Sequence, residues 1–175
     1  MKKALGIFSL LASILWVGCN GTDTTTTEGS ETKVSTPVLS YSVISVLPHD
    51  TSYFTEGLEF YNNTLLESTG NYDGRSKLVR KDLSTNKVLN SVTLDPKQFG
   101  EGITVFRDTI YQLTYKERTI NVYAAKDLRK IKEMPYNLEG WGLTNDGKSL
   151  IASDGSSNLY FFEPGTFRQL RVQAV

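Results

Sequence analysis

Phe99-Gly100-Glu101-Gly102-Ile103 has two counterparts in this chain, Thr55-Glu56-Gly57-Leu58 before it and Gly140-Trp141-Gly142-Leu143 after it. The spacing of the three decides the fold. Gly57, Gly102 and Gly142 stand 45 and 40 residues apart, the length of one β-propeller blade. Each is followed by a second short apolar run at 64–68, 109–114 and 149–153. Two more runs then come as a pair in each unit: 78–80 with 88–89, 120–123 with 131, and 159–162 with 170. Similar turns join the pairs at 82–86, 125–129 and 164–168, so three units of four strands are in register. The first strand of each blade lines a propeller's central channel, which places Glu56, Glu101 and Trp141 around one axial cavity. Fourteen residues further on stand Gly70, Tyr115 and Gly155, two positions that leave room and one that projects bulk.

Four blades is the lower end of what closes a ring. The repeat therefore predicts an all-β chain holding about three blades, the N-terminal part of a larger ring. Residues 41–47 are expected to form an outer strand whose partner lies outside the sequence. No stretch shows a sustained helical period of apolar residues. Nine Tyr, eight Phe and two Trp suit half-buried β surfaces. Nineteen basic residues balance nineteen acidic ones, which leaves no electrostatic footprint for nucleic acid or an anionic membrane surface.

The first 18 residues read as an export signal, with Lys2 and Lys3 ahead of a short apolar run from Ala4 to Val17. Cys19, the one cysteine, follows directly and resembles the lipidated cysteine of a bacterial lipoprotein, although Trp16 stands where a small aliphatic residue is usual. A plain secretory signal with a bystander cysteine is the other reading. Residues 19–37 hold seven threonines and almost nothing apolar, too little to offset ordering entropy, and read as a flexible tether. Residues 38–175 are the folded domain. The expected location is the bacterial cell envelope, with the membrane engaged only through a lipid on Cys19.

Glu101 stands among glycines and aromatics, with Tyr111-Gln112-Leu113-Thr114-Tyr115 and Glu139-Gly140-Trp141 as its repeat neighbours. An aromatic wall limits water and lifts a carboxyl pKa toward the working pH, the setting a general acid/base needs. The same residues also read as β-bulge glycines beside an ordinary surface Glu. His49 and Asp50 could suggest a metal pair, but with a single His in the chain a turn-stabilising role is the better reading, and no metal site is expected. Asp154-Gly155-Ser156-Ser157 reads as a turn between strands rather than a nucleophilic serine, since no His base serves it. No motif calls for a cofactor.

The ordered motifs Pro48-His49-Asp50, Tyr53-Phe54-Thr55-Glu56-Gly57-Leu58-Glu59-Phe60, Glu67-Ser68-Thr69-Gly70, Phe99-Gly100-Glu101-Gly102-Ile103, Tyr111-Gln112-Leu113-Thr114-Tyr115, Glu139-Gly140-Trp141-Gly142-Leu143 and Ser153-Asp154-Gly155-Ser156-Ser157 run nearly from Pro48 to the end of the chain. Together they resemble the glutaminyl-peptide cyclotransferases of the plant and bacterial type, five-bladed β-propellers unrelated to the zinc-dependent animal enzymes. The resemblance implies an acyltransferase that cyclises the N-terminal Gln of peptides or proteins to pyroglutamate and releases ammonia. It also implies that Glu101 moves the proton and that Phe54, Phe99 and Trp141 line the cavity. Two positions depart from the family pattern: Glu56 stands where Gln is usual, and Tyr115 where Trp is common. An ionised Glu56 cannot donate a hydrogen bond to a developing oxyanion, so either it is protonated or it grips the substrate ammonium. The family's cavity Asn, second Trp and Lys belong to later blades. Propellers also serve as non-catalytic binding platforms, the alternative from a different class.

Overall fold

The structure, a computed structural model, describes residues 37–175. The export signal, Cys19 and nearly all of the threonine-rich tether therefore lie outside the described residues. By contact density the chain divides into Met1–Ser42 and Val43–Val175. Of the first unit only residues 37–42 are described, and they carry no strand.

The second unit holds three four-stranded antiparallel sheets, each a meander in chain order. The first sheet runs β1 (Thr55–Tyr61), β2 (Thr64–Thr69), β3 (Lys77–Asp82) and β4 (Val88–Thr93). β5 (Gly100–Phe106), β6 (Thr109–Thr114), β7 (Thr119–Ala124) and β8 (Lys130–Pro135) make the second. β9 (Leu143–Asn145), β10 (Leu150–Ser153), β11 (Asn158–Phe162) and β12 (Gln169–Ala174) make the third. These are the propeller blades read from the repeat.

Turn chemistry repeats with the strands. Asn62 and Asn63 join β1 to β2, and Arg107 and Asp108 join β5 to β6, all four at positive φ between 46° and 59°. Such two-residue connections match the right-handed twist of the strands they link. Between the third and fourth strands, the N–H of Asn86, Leu128 and Phe167 donates to the carbonyl of Asp82, Ala124 and Glu163 at 2.8–2.9 Å. Each of these donors has φ of 55–59°. Leu128 and Phe167 pay for that left-handed backbone by burial, being 0% and 7% exposed.

The core lies between blades. Leu66 and Leu78 of the first pack with Ile103, Ile110, Tyr123 and Leu128 of the second. Leu113, Ile120 and Met134 of the second pack with Leu150, Ala152, Phe162 and Phe167 of the third. Covered on both faces, the middle blade has the most buried inner strand, β5.

The close approach of inner strands explains the repeated glycines. A Cβ on Gly57 would come within 2.8 Å of the Ile103 nitrogen, and one on Gly102 would run into the Trp141 carbonyl oxygen and, at 2.5 Å, the Leu143 nitrogen. The Gly102 N–H donates to that Trp141 carbonyl at 2.8 Å.

Two expectations are corrected. Residues 41–47 form no strand, and Val43, Ile44 and Val46 are 70–96% exposed; the partner expected for them lies outside the sequence. Trp141 and Gly142 lie just before β9 rather than within it, because both bond to one residue: the Trp141 N–H donates to the Ser153 carbonyl at 3.2 Å, and the Ser153 N–H donates to Gly142 at 3.0 Å.

Candidate active site

β-Bulges aim the two acidic side chains. In β1, Thr55 pairs with Thr69 and Gly57 with Ser68, which leaves Glu56 as the extra residue. In β5, Gly100 pairs with Thr114 and Ile103 with Gln112, so Glu101 and Gly102 together oppose Leu113. A bulge re-aims side chains out of the regular alternation. The bulge reading of this segment is therefore right about the backbone, but Glu101 is no surface residue: it is 9% exposed.

Glu56, Tyr72, Phe99, Glu101, Tyr115 and Trp141 line one pocket of about 310 Å³. Burial, reinforced by the charges of Glu56 and Glu117, pushes the Glu101 pKa from its ordinary value up to about 8. Burial also raises the Glu56 pKa. Among the described residues no cation pairs with either carboxyl. Phe99 is held by its backbone, its N–H donating to the Glu117 carboxylate at 3.2 Å while its carbonyl accepts the Tyr115 N–H at 3.1 Å.

The positions fourteen residues beyond the inner glutamates and Trp141 behave as the repeat suggests. A Cβ on Gly70 would overlap the Phe99 ring, and one on Gly155 would lie 2.6 Å from the Trp141 ring. Each glycine thus leaves a seat for an aromatic of the pocket, while Tyr115, at the third position, forms part of the pocket wall.

Of the residues named from sequence, Glu56, Phe99, Glu101, Tyr115 and Trp141 meet in this pocket. Phe54 does not line it. Its ring is 64% exposed and stands edge-on to Phe99, with centroids 6.4 Å apart, on the wall of an adjoining groove. Two residues escaped the sequence reading. Tyr72 sits in the β2–β3 loop with its ring 4.6 Å from Phe99, and Glu117 lies in the β6–β7 loop. A loop aromatic without periodicity gives no signal that it folds onto a site.

The turn assignments divide. Asp50 accepts the Ser52 N–H at 2.9 Å and Asp154 accepts the Ser156 N–H at 3.1 Å, both as turn residues. His49 instead reaches the buried Glu67, its Nε2 lying 2.8 Å from Oε1. Among the described residues no three His, Cys, Asp or Glu side chains converge as metal ligands.

The glutamine cyclotransferase family model matches residues 14–175. A glutaminyl-peptide cyclotransferase of Arabidopsis thaliana is 38% identical over 142 residues, covering 80% of this chain and 44% of the plant protein. The crystal structure of Myxococcus xanthus glutaminyl cyclase superposes with a TM-score of 0.66 at 30% identity, over 73% of this chain and 53% of that one. The WD40 domain of Neurospora crassa Pan2, at 11% identity and a TM-score of 0.58, shares the propeller fold alone. The chain spans about half the length of the plant and Myxococcus relatives it matches. With the family model covering nearly the whole sequence, this chain belongs to the glutamine cyclotransferase family.

Proposed function

We propose that this protein is a glutaminyl-peptide cyclotransferase, converting the N-terminal Gln of peptides to pyroglutamate with release of ammonia. The observation that carries the reading is Glu101, a buried carboxyl with a pKa near 8 walled by Phe99, Tyr115 and Trp141. The names of the plant and Myxococcus relatives support it. A substrate α-ammonium has a pKa of about 8. A proton thus passes between it and Glu101 at little cost.

In the proposed reaction the substrate α-nitrogen bonds to its own side-chain carboxamide carbon, and the Glu101 carboxylate accepts the proton that nitrogen sheds. The resulting carboxylic acid donates the same proton to the amide nitrogen. The carbon–nitrogen bond breaks, and the second proton shed by the original α-ammonium leaves with the ammonia as ammonium, so that Glu101 is again a carboxylate. Holding amine and carboxamide together for a five-membered closure is largely orientation, which the aromatic walls supply. Glu56 grips the ammonium. One proton shared between Glu101 and the amine is the reactive state, so kcat/KM should be bell-shaped in pH and centred near 8.

Incubating the purified protein with a peptide bearing N-terminal Gln should release ammonia and lower the peptide mass by one ammonia. Binding with no mass change would favour a non-catalytic platform. Glu56→Gln should keep turnover within about tenfold of the parent, since the amide fills the same site and its carbonyl oxygen can still accept a hydrogen bond from the ammonium. Removing the Glu56 charge, which raises the Glu101 pKa, should move the acidic limb of the profile to lower pH. A dead Glu56→Gln beside an active Glu101→Gln would reverse the two roles.

The leader supports an exported bacterial protein held in the envelope by a lipid on Cys19. Cys19→Ser should then move the protein from the membrane fraction to the soluble fraction. Membrane retention of this variant, with no lipid on the parent's mature N-terminus, would remove the assignment.

A further inference from the structure

The pocket around Glu101 does not end at Phe99. On the other side of that ring runs a second groove of about 520 Å³, lined by Phe54, Gly70, Asn71, Tyr72, Asp73 and Phe99. It shares the Tyr72 and Phe99 walls with the first pocket. Phe54 and Tyr72 are 64% and 70% exposed, while Phe99 between them is 8% exposed. Two large aromatic rings held open to solvent on either side of a buried third mark a surface built for an apolar partner.

The loop that presents Tyr72 is braced from within. The Asn71 N–H donates to Ser76 Oγ at 2.9 Å, the Ser76 hydroxyl donates to the Asn71 carbonyl at 3.1 Å, and the Asp73 N–H donates to Asn71 Oδ1 at 2.9 Å. Gly74 turns the chain at φ 78°, a conformation that favours glycine. Tyr72 therefore stands on a fixed platform, with its ring 4.6 Å from Phe99.

Charge narrows the occupant. The Arg75 Nε donates to both Asp73 oxygens at 3.0 Å and its Nη2 lies 2.5 Å from Oδ2, which neutralises the one acid on the groove wall. A charged side chain would find no unmatched counter-charge there, whereas an apolar ring would find three aromatic faces.

We propose that the groove of Phe54, Tyr72 and Phe99 is a subsite for the second residue of the substrate, selecting a large apolar and above all aromatic side chain there. The proposal rests on the cyclotransferase reading of the Glu101 pocket. Consecutive Cα atoms lie about 3.8 Å apart. A residue bonded to the one beside Glu101 therefore enters the cavity that begins at the shared wall. This also gives Phe54 a role outside the Glu101 pocket.

Two peptides test it, Gln-Phe-Ala-amide and Gln-Gly-Ala-amide. The parent protein should turn over the first with a kcat/KM about tenfold higher, the range one well-placed apolar contact supplies. Tyr72→Ser should bring the ratio close to one, and Tyr72→Phe should retain it. The ratio is the readout, so any change in overall rate in these variants does not bear on it. In parallel, calorimetry on Glu101→Gln measures the binding of both peptides without turnover. Tighter binding of the Phe peptide, abolished by adding Tyr72→Ser, supports the subsite even if no peptide is cyclised, an outcome that would sink only the cyclotransferase reading. Equal binding of the two peptides, binding of neither, or a ratio unaffected by Tyr72→Ser overturns the subsite.

Discussion

Glu101→Gln is expected to lower turnover by at least roughly a hundredfold, the lower end for loss of a general acid/base, while making the protein harder to unfold in mild alkali. Both effects follow from one carboxyl. Burial, and then the charges of Glu56 and Glu117, hold its pKa near 8 against an ordinary 4.5. Folding therefore favours the protonated form. The stability tied to this group is fully present below the unfolded-state value and is lost as pH rises toward 8. Ionised Glu101 costs the fold on the order of 5 kcal/mol above that pH. Glutamine keeps the shape and carries no charge, so the variant should lack this decline. Urea unfolding at pH 5 and pH 9 checks it: the parent should lose more stability than the variant between the two. A fully active Glu101→Gln would sink the mechanism, and parallel stability profiles would show that Glu101 is not desolvated in the native state. Removing such a strained group commonly trades function for stability.

Blade count and strand order were legible in the sequence because each blade is a local unit, bounded by turns that recur at the same positions of the repeat. Asn62-Asn63 and Arg107-Asp108 have little in common as side chains, yet both close the same two-residue connection. The alternation around them was enough to place the strands. Glu101 and Glu56 were found through register: their glycines recur at blade spacing, and the reason is the approach of one inner strand to the next at Gly57 and Gly102.

What escaped lies where side chains from separate loops meet. Tyr72 and Glu117 belong to loops that follow β2 and β6, and their meeting with Phe99 depends on loop conformation rather than strand periodicity. Residues 41–47, whose expected partner lies outside the sequence, show the converse case. Their Val and Ile alternation suits a strand, but a strand needs an edge to pair with, and propensity supplies none.

His49 misled for a related reason. As a lone imidazole beside Asp50 it read as a turn residue, and the structure instead sets it, half-exposed, against the buried Glu67. Glu67 is completely buried on β2. Its Oε1 accepts the Thr55 hydroxyl at 2.6 Å and lies 2.8 Å from His49 Nε2. Its Oε2 lies 2.5 Å from Lys81 Nζ, which stands 4.9 Å from the Tyr53 ring centre. Burial alone would raise the Glu67 pKa; the hydrogen bonds from His49, Lys81 and Thr55, with the Lys81 charge, outweigh it and hold the carboxyl below its ordinary value. Thr55 directly precedes the bulge at Glu56, so the cluster also anchors the strand that carries a pocket carboxylate.

Glu67→Gln should therefore destabilise the protein by about 3–5 kcal/mol, the cost of leaving one member of a buried ion pair without its partner. The Lys81 ammonium would then be buried with no counter-charge. Replacing both partners, Glu67→Leu with Lys81→Met, should recover much of that loss, because apolar groups of similar size need no compensation. The pH dependence has the opposite sign to that of Glu101. A depressed carboxyl pKa contributes stability that is present above the unfolded value near 4.5 and lost as pH falls through the folded one. The gap in urea midpoint between parent and Glu67→Gln should thus be smaller at pH 3 than at pH 7, because acid begins to remove what the mutation removed. A Glu67→Gln protein as stable as its parent at pH 7 would mean that the cluster contributes no net stability and serves only to place Thr55.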